Sequence, residues 1–282
     1  MALRRSSAAI SPTAHYTGYV WARHGLGPTA LATRTGAVLY TALRPAMAAS
    51  ARAGGPSLEG LLLGRHRAMD TLLSEAIESG RIGQVVEIAA GLSPRGLTYA
   101  TSYAGRLTYV EADLPAMAQQ KRDALAALGT PLPPGHRVVD IDALAPDGPL
   151  SLGALLDQLD PSVGTAVITE GLLNYLPAEA VTDLWARLAA GLRRFPTGLY
   201  LSDLHLAGEN RSPLLAGFAT MLGAFVRGRI HFHFADAVAA TEALRAAGFS
   251  AAALHHPDDA RFALPPHLRA GARIVRVVEA VS

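Results

Sequence analysis

Hydrophobic and polar positions change their rhythm near Gly83. Beyond it, short apolar runs at Gln84–Ile88, Leu107–Glu111, Arg137–Ile141, Thr165–Thr169, Gly198–Ser202, Phe249–Leu254 and Arg273–Val281 predict strands. Between most of them the pattern predicts helices, at Pro115–Leu128, Leu150–Leu159, Pro177–Phe195, Pro213–Val226 and Ala235–Ala247. This alternation predicts βαβ units, hence an α/β, doubly wound, seven-stranded and mostly parallel sheet. The last two strands are joined by "HHPDDARFALPPHLRAGA", whose Pro257, Pro265 and Pro266 leave no pattern for a crossover helix. Without a crossover the last strand is expected to return antiparallel to its neighbour. Residues 1–56 do not alternate and end at Gly54-Gly55-Pro56. They are expected to form an N-terminal helical extension over an edge or mouth of the sheet, with residues 57–282 as the main domain.

The stretch "SLEGLLLGRHRAMDTLLSEAIESG" predicts a helix capped by Ser57 and stopped at Gly80. At about 100° per residue, Leu58, Leu61, Leu62, Met69, Leu72, Leu73 and Ala76 form one apolar stripe. Arg65 falls inside that stripe, whereas Arg67 falls on the opposite, solvated face. A buried guanidinium costs several kcal/mol unless an anion meets it. Arg65 therefore predicts either an internal salt bridge or an anchor for a ligand carboxylate or phosphate.

Composition narrows the class. The chain has 282 residues, 50% hydrophobic and 17% charged, enough to bury a large core and too apolar to stay disordered. Its 25 basic and 23 acidic residues leave a net charge of +2 and no nucleic-acid footprint. Cysteine is absent, so disulfides, zinc–thiolate sites and a cysteine nucleophile are excluded. Two arginines near the N-terminus are not followed by an apolar segment, and no apolar run reaches a membrane-spanning length. A soluble cytoplasmic protein is expected.

The chemistry gathers at the ends of the predicted strands. "QVVEIAAGLSPRG" ends a strand carrying Glu87 in a turn with Gly91 and Gly96. The turn lacks the G-x-G-x-x-G of a dinucleotide site, and no Walker-type phosphate loop appears. "YVEADLP" brings Glu111 and Asp113, where an acid is the usual partner of a ribose diol, although Asp113 also suits a helix cap before Pro115. "VVDIDAL" adds Asp140 and Asp142, and "VITEGLLNYLP" adds Glu170. Acids at one edge of four successive strands point to a ligand rich in donors, such as an adenosine bearing an amino group.

Together "QVVEIAAGLSPRG", "YVEADLPAMAQQKR", "HRVVDIDAL" and "VITEGLLNYLP" resemble the leucine carboxyl methyltransferase family, in particular its bacterial branch with polyketide-type O-methyltransferases. The resemblance runs from about Leu58 to Leu204. It implies a class I S-adenosylmethionine-dependent methyltransferase with a reversed last strand and a small-molecule acceptor. It implies that Arg65 meets the methionyl carboxylate and Gly91 lies against the methionyl part. Asp113 would hold the ribose hydroxyls, with Glu111 as the competing choice; Asp142 and Ala143 would border adenine, and Glu170 would reach the amino end. Glu87, the acid within the first strand, is a further candidate for the cofactor site. Where many relatives carry Asp-Thr-Arg after Gly-Leu, this chain has Ser93-Pro94-Arg95, and the segment before Arg65 does not match eukaryotic members acting on a protein C-terminus.

A carboxylate acceptor, ionised at neutral pH, needs no general base, whereas a phenol does. The candidate bases are His205 and His24, with a structural or surface role favoured for each. Asp203 is a candidate to orient His205, a pairing expected to be weakened by strand alternation. His231 and His233 in "HFHF" form a possible metal pair without a third ligand, so no metal is expected. Tyr16, Tyr19, Trp21 and Tyr175 are candidates for an acceptor wall, and Trp185 is expected in the core. The competing readings are an NAD(P)-dependent oxidoreductase, which the missing glycine fingerprint disfavours, and a non-catalytic S-adenosylmethionine-binding protein.

Overall fold

Strands of branched apolar residues bury completely when helices cover both faces, and Gln84–Ile88 and Thr165–Thr169 are buried at every position. In the computed structural model, which describes residues 3–209 and 231–282 with side chains from residue 13 onward, these strands lie at the centre of a seven-stranded sheet. We label the strands β1 (Gln84–Ile88), β2 (Thr108–Asp113), β3 (His136–Asp140), β4 (Thr165–Thr169), β5 (Gly198–Leu204), β6 (Ala251–His255) and β7 (Arg276–Val281). Their order is β3-β2-β1-β4-β5-β7-β6, with β7 antiparallel to both β5 and β6 and every other pairing parallel. The doubly wound sheet with a reversed last strand is as the sequence predicts.

The longer helices among the described residues are α1 (Leu3–Arg23), α2 (Arg34–Arg52), α3 (Leu58–Glu78), α4 (Arg95–Ser102), α5 (Pro115–Ala126), α6 (Leu152–Leu156), α7 (Ala178–Leu192) and α8 (Ala237–Ala246). Side chains alternate along the strands. Val86, Val110, Val167 and Tyr200 pack under α6, α7 and α8, while Val85, Tyr109, Ala166 and Leu199 pack under α3 and α4. Trp185 lies in the first of these cores, stacked on Phe234. Ser57 caps α3, its Oγ accepting from Gly60 N at 3.0 Å. The N-terminal half of α3 packs with Tyr16, Val20 and Trp21 of α1, which carries the extension to the mouth of the sheet.

Several boundaries shift for physical reasons. β2 was expected at Leu107–Glu111 but runs on through Asp113, because its register with β3 continues to the pair Asp113 and Asp140. β3 begins and ends one residue earlier than expected. β7 starts only at Arg276, because the preceding proline-rich segment folds into two 3-10 turns and a short helix, Arg269–Ala272. The turn after β1 contains a helix, α4, that Pro94 and the short spacing hid. The predicted helix Pro213–Val226 lies outside the described residues.

Candidate active site

In this strand order the chain reverses direction of assembly between β1 and β4, and an open α/β sheet binds its ligand outside the carboxyl ends at such a point. A cavity of about 240 Å³ lies there. Its floor is Ile88–Leu92 after β1, Asp113 and Leu114 after β2, Ile141–Leu144 after β3, and Glu170–Leu172 after β4. Thr13, Ala14, Thr17 and Trp21 of α1, Arg65 of α3 and Tyr175 form the opposite wall.

The turn after β1 is shaped by its backbone. Ala89 and Gly91 both have positive φ, 56° and 49°, and a Cβ on Gly91 would stand 3.3 Å from that of Ala14. Gly91 therefore presents bare backbone to the cavity. Its amide donates to Asp113 Oδ2 at 2.7 Å, and Leu114 N donates to Asp113 Oδ1 at 2.8 Å. Each oxygen of Asp113 keeps accepting capacity toward the cavity. Burial raises the Asp113 carboxyl above its ordinary value, against the pull of these two amides. Beyond β3, Asp142 Oδ1 accepts from Leu144 N at 3.0 Å, and Arg187 Nη1 donates to the carbonyl of Ala143 at 2.9 Å.

Beneath the cavity lie two buried ionic networks. In the first, Arg95 donates through Nη1 to Glu87 at 2.7 Å, through Nη2 to Glu170 Oε2 at 2.6 Å, and through Nε to Asp70. His66 Nδ1 also donates to Glu170 Oε2, at 2.9 Å. Arg65 completes it, with Nε donating to Glu170 Oε1 at 3.0 Å and Nη1 to Asp203 Oδ2 at 2.9 Å. Burial alone would raise Glu170, but His66, Arg95 and Arg65 hold it well below the usual carboxylate range. Glu87, which also accepts from Tyr109 at 2.8 Å, is raised by burial despite Arg95. In the second network Lys121, the only lysine, donates to Glu111 and to the carbonyl of Ser93, and His136 donates to Glu111 at 2.7 Å.

Of the predicted site residues, Arg65, Gly91, Asp113, Asp142, Ala143 and Glu170 border one cavity. Glu87 and Glu111 are buried below it, their carboxylates taken by Arg95 with Tyr109 and by Lys121 with His136. Arg65 forms the internal salt bridge, bridging two carboxylates, and also lines the cavity; its Nη2 has no partner among the described residues. Arg95 and His66 escaped the sequence reading, because nothing local marks a loop arginine as the partner of acids on three other elements.

A smaller cavity of about 40 Å³ adjoins the first, with Thr13, Thr17, Arg65, Gly171 and Tyr175 common to both walls. Asp203 and His205 border it. Alternation was expected to part them, but residues two apart share a face. The dyad still does not form, since Asp203 accepts from Arg65 and from Gly171 N at 2.6 Å. Tyr16 lines this smaller cavity, whereas Tyr19 packs on Tyr40. His24 lies near Glu59 instead, its Nε2 at 3.8 Å. His233 Nε2 donates to the carbonyl of Leu176 at 2.6 Å, and no metal-binding cluster occurs among the described residues.

The family model for leucine carboxyl methyltransferase matches residues 29–189, from the 3-10 turn between α1 and α2 through most of α7. The chain belongs to the leucine carboxyl methyltransferase family. A protein of Mycolicibacterium gilvum (strain PYR-GCK), whose name places it among S-adenosyl-L-methionine-dependent methyltransferases, is 39% identical over 41% of this chain and 36% of its own length. A similarly named protein of Mycolicibacterium vanbaalenii is 38% identical over 45% of this chain and 39% of its own. The chain thus matches less than half the length of these relatives. Among solved structures, a DUF574 family protein from Streptomyces avermitilis superposes with a TM-score of 0.56 at 18% identity, covering 79% of this chain and 84% of that one. A protein described as an O-methyltransferase, from Nostoc punctiforme, gives 0.51 at 11% identity over 84% and 67%. These likenesses support the fold.

No helix among the described residues is long and apolar enough to cross a membrane.

Proposed function

We propose that this family member is an S-adenosylmethionine-dependent methyltransferase that alkylates an oxygen of a small-molecule carboxylate or hydroxyl, as the polyketide-type resemblance implies. The observation that carries the reading is the Asp113–Gly91 pair. An acid at the end of β2, oriented by two backbone amides, faces the cavity beside a turn stripped of side chain. That arrangement suits a ribose diol next to a chain needing close backbone approach. Asp142 and Ala143 would border the adenine. Arg65 Nη2, the guanidinium nitrogen left over by Glu170 and Asp203, would take the methionyl carboxylate. Glu170 would set the negative field at the amino end, held ionised by Arg95 and Arg65 and by its hydrogen bond from His66. Glu87 and Glu111 act here through the networks that hold the floor.

When bound, the cofactor supplies a methyl group on a positively charged sulfur. The chain contributes alignment and exclusion of water, which dominate such a displacement. Trp21 and Tyr175 close the wall opposite the strand ends.

Trp21 borders the cavity, while Trp185, the other tryptophan, is sealed in the core, so emission reports the site directly. Titration with S-adenosylhomocysteine is expected to change the emission saturably, at micromolar ligand. The change should vanish in Trp21→Phe, and NAD+ should produce none. A saturable response to NAD+ with none to S-adenosylhomocysteine would reverse the assignment.

A further inference from the structure

His205 stands at the end of β5, where Leu204 closes the strand. Its Nδ1 lies 2.8 Å from the carbonyl oxygen of Ile274. A carbonyl can only accept, so Nδ1 carries the proton. In the neutral ring Nε2 is then a bare lone pair, and it has no partner among the described residues. Burial lowers the pKa of this imidazole, with Arg65 acting in the same direction and Asp203 and the Ile274 carbonyl opposing, so the neutral form prevails at pH 7. The titratable groups around it in the same cavity are Asp203, Arg65, Tyr16 and Tyr175.

The charge of that cavity selects the acceptor. Its one cation among the described residues, Arg65, already serves Glu170 and Asp203, and Asp203 itself lies in the wall. Among the described residues an anionic acceptor would find no counter-charge beyond Arg65 Nη2, which the methionyl carboxylate would take, and one carboxylate to repel it. A neutral hydroxyl would find the opposite, an acceptor lone pair for its proton in a pocket walled by Leu58, Leu61 and Leu62. About 40 Å³ admits the hydroxyl-bearing head of a molecule, not the whole of it.

We infer that the smaller cavity is the acceptor subsite, that the acceptor is a neutral phenol or alcohol, and that His205 is its general base. The inference rests on the methyltransferase reading and narrows it. In the step, the acceptor O–H bond breaks and its proton passes to His205 Nε2. The oxygen bonds to the methyl carbon as the S–CH3 bond of S-adenosylmethionine breaks, the electron pair of that bond staying on sulfur. The products are a methyl ether, S-adenosylhomocysteine and an imidazolium, which returns its proton to solvent. Asp203 in the same cavity stabilises that transient charge.

The test uses the full chain saturated with S-adenosylhomocysteine and two probes read by fluorine NMR, 4-fluorophenol and 4-fluorobenzoate. Wild type is expected to bind 4-fluorophenol at least tenfold more tightly than 4-fluorobenzoate. In His205→Ala and His205→Gln the preference should fall to within about threefold, while S-adenosylhomocysteine affinity, measured calorimetrically on the same samples, stays within twofold and reports an intact fold. Preference for the benzoate, no binding of the phenol, or an unchanged preference in both variants would overturn the inference while leaving the cofactor site standing. Failure of wild type to bind S-adenosylhomocysteine would instead bring down the methyltransferase reading beneath it.

Discussion

Replacing Arg95 by methionine is expected to destabilise the chain by about 3–5 kcal/mol, read as a lowered urea midpoint with an unchanged slope. The guanidinium is almost wholly buried and satisfies Asp70, Glu87 and Glu170 at once. Methionine matches its length but leaves Glu87 with only the Tyr109 hydroxyl, and Glu170 with Arg65 and His66. An uncompensated buried carboxylate is far costlier than the net worth of the pair that held it. Arg95→Lys should recover only part of the loss, because one ammonium cannot reach three carboxylates in a planar fork. An unfolding free energy within about 1 kcal/mol of wild type would show that the network adds little to stability.

The second large effect belongs to Lys121→Met, for which a loss of about 3–5 kcal/mol is again expected. Lys121 is 2% exposed and Glu111 0%, so water cannot replace the missing ammonium. Burial alone would raise the Glu111 carboxyl; Lys121 and His136 bring it below its ordinary value. Without the lysine that balance reverses, and the carbonyl of Ser93 loses its donor. Because Ser93 lies in the turn that presents Gly91, ligand affinity should fall together with stability. The double variant Lys121→Met, Glu111→Gln should be more stable than the single one, since it removes the stranded charge. If the double variant is the less stable of the two, the charge assignment is wrong.

What the sequence made legible follows from how each feature is encoded. Parallel strands buried on both faces read as unbroken apolar runs, so the sheet and its reversed last strand were visible in the pattern. Arg65 was conspicuous because a cation interrupts an apolar stripe, and it does line the cavity. Glu111 and Asp113 were harder to separate. They sit on one face of β2, two residues apart, and only the depth to which α5 covers them sends Glu111 to Lys121 and leaves Asp113 at the cavity. No spacing rule encodes that depth. Arg95 was hidden for a related reason, as its partners come from α3, β1 and the end of β4. The contribution of α1 through Thr13, Ala14, Thr17 and Trp21 depends on a docking that its helical pattern does not specify.

The central claim is that the cleft at the ends of β1 to β4 binds S-adenosylmethionine through Asp113. Arg65→Ala would test it poorly, because it also strands Glu170 and Asp203. Asp113 borders the cavity and is held only by the amides of Gly91 and Leu114, so its removal perturbs little else. The decisive measurement is calorimetric titration of S-adenosylhomocysteine into wild type and Asp113→Ala. Micromolar binding by wild type, weakened at least tenfold in a variant with an unchanged unfolding midpoint, is the result expected. Absence of binding by the folded wild type, or equal affinity in the two proteins, would contradict the account.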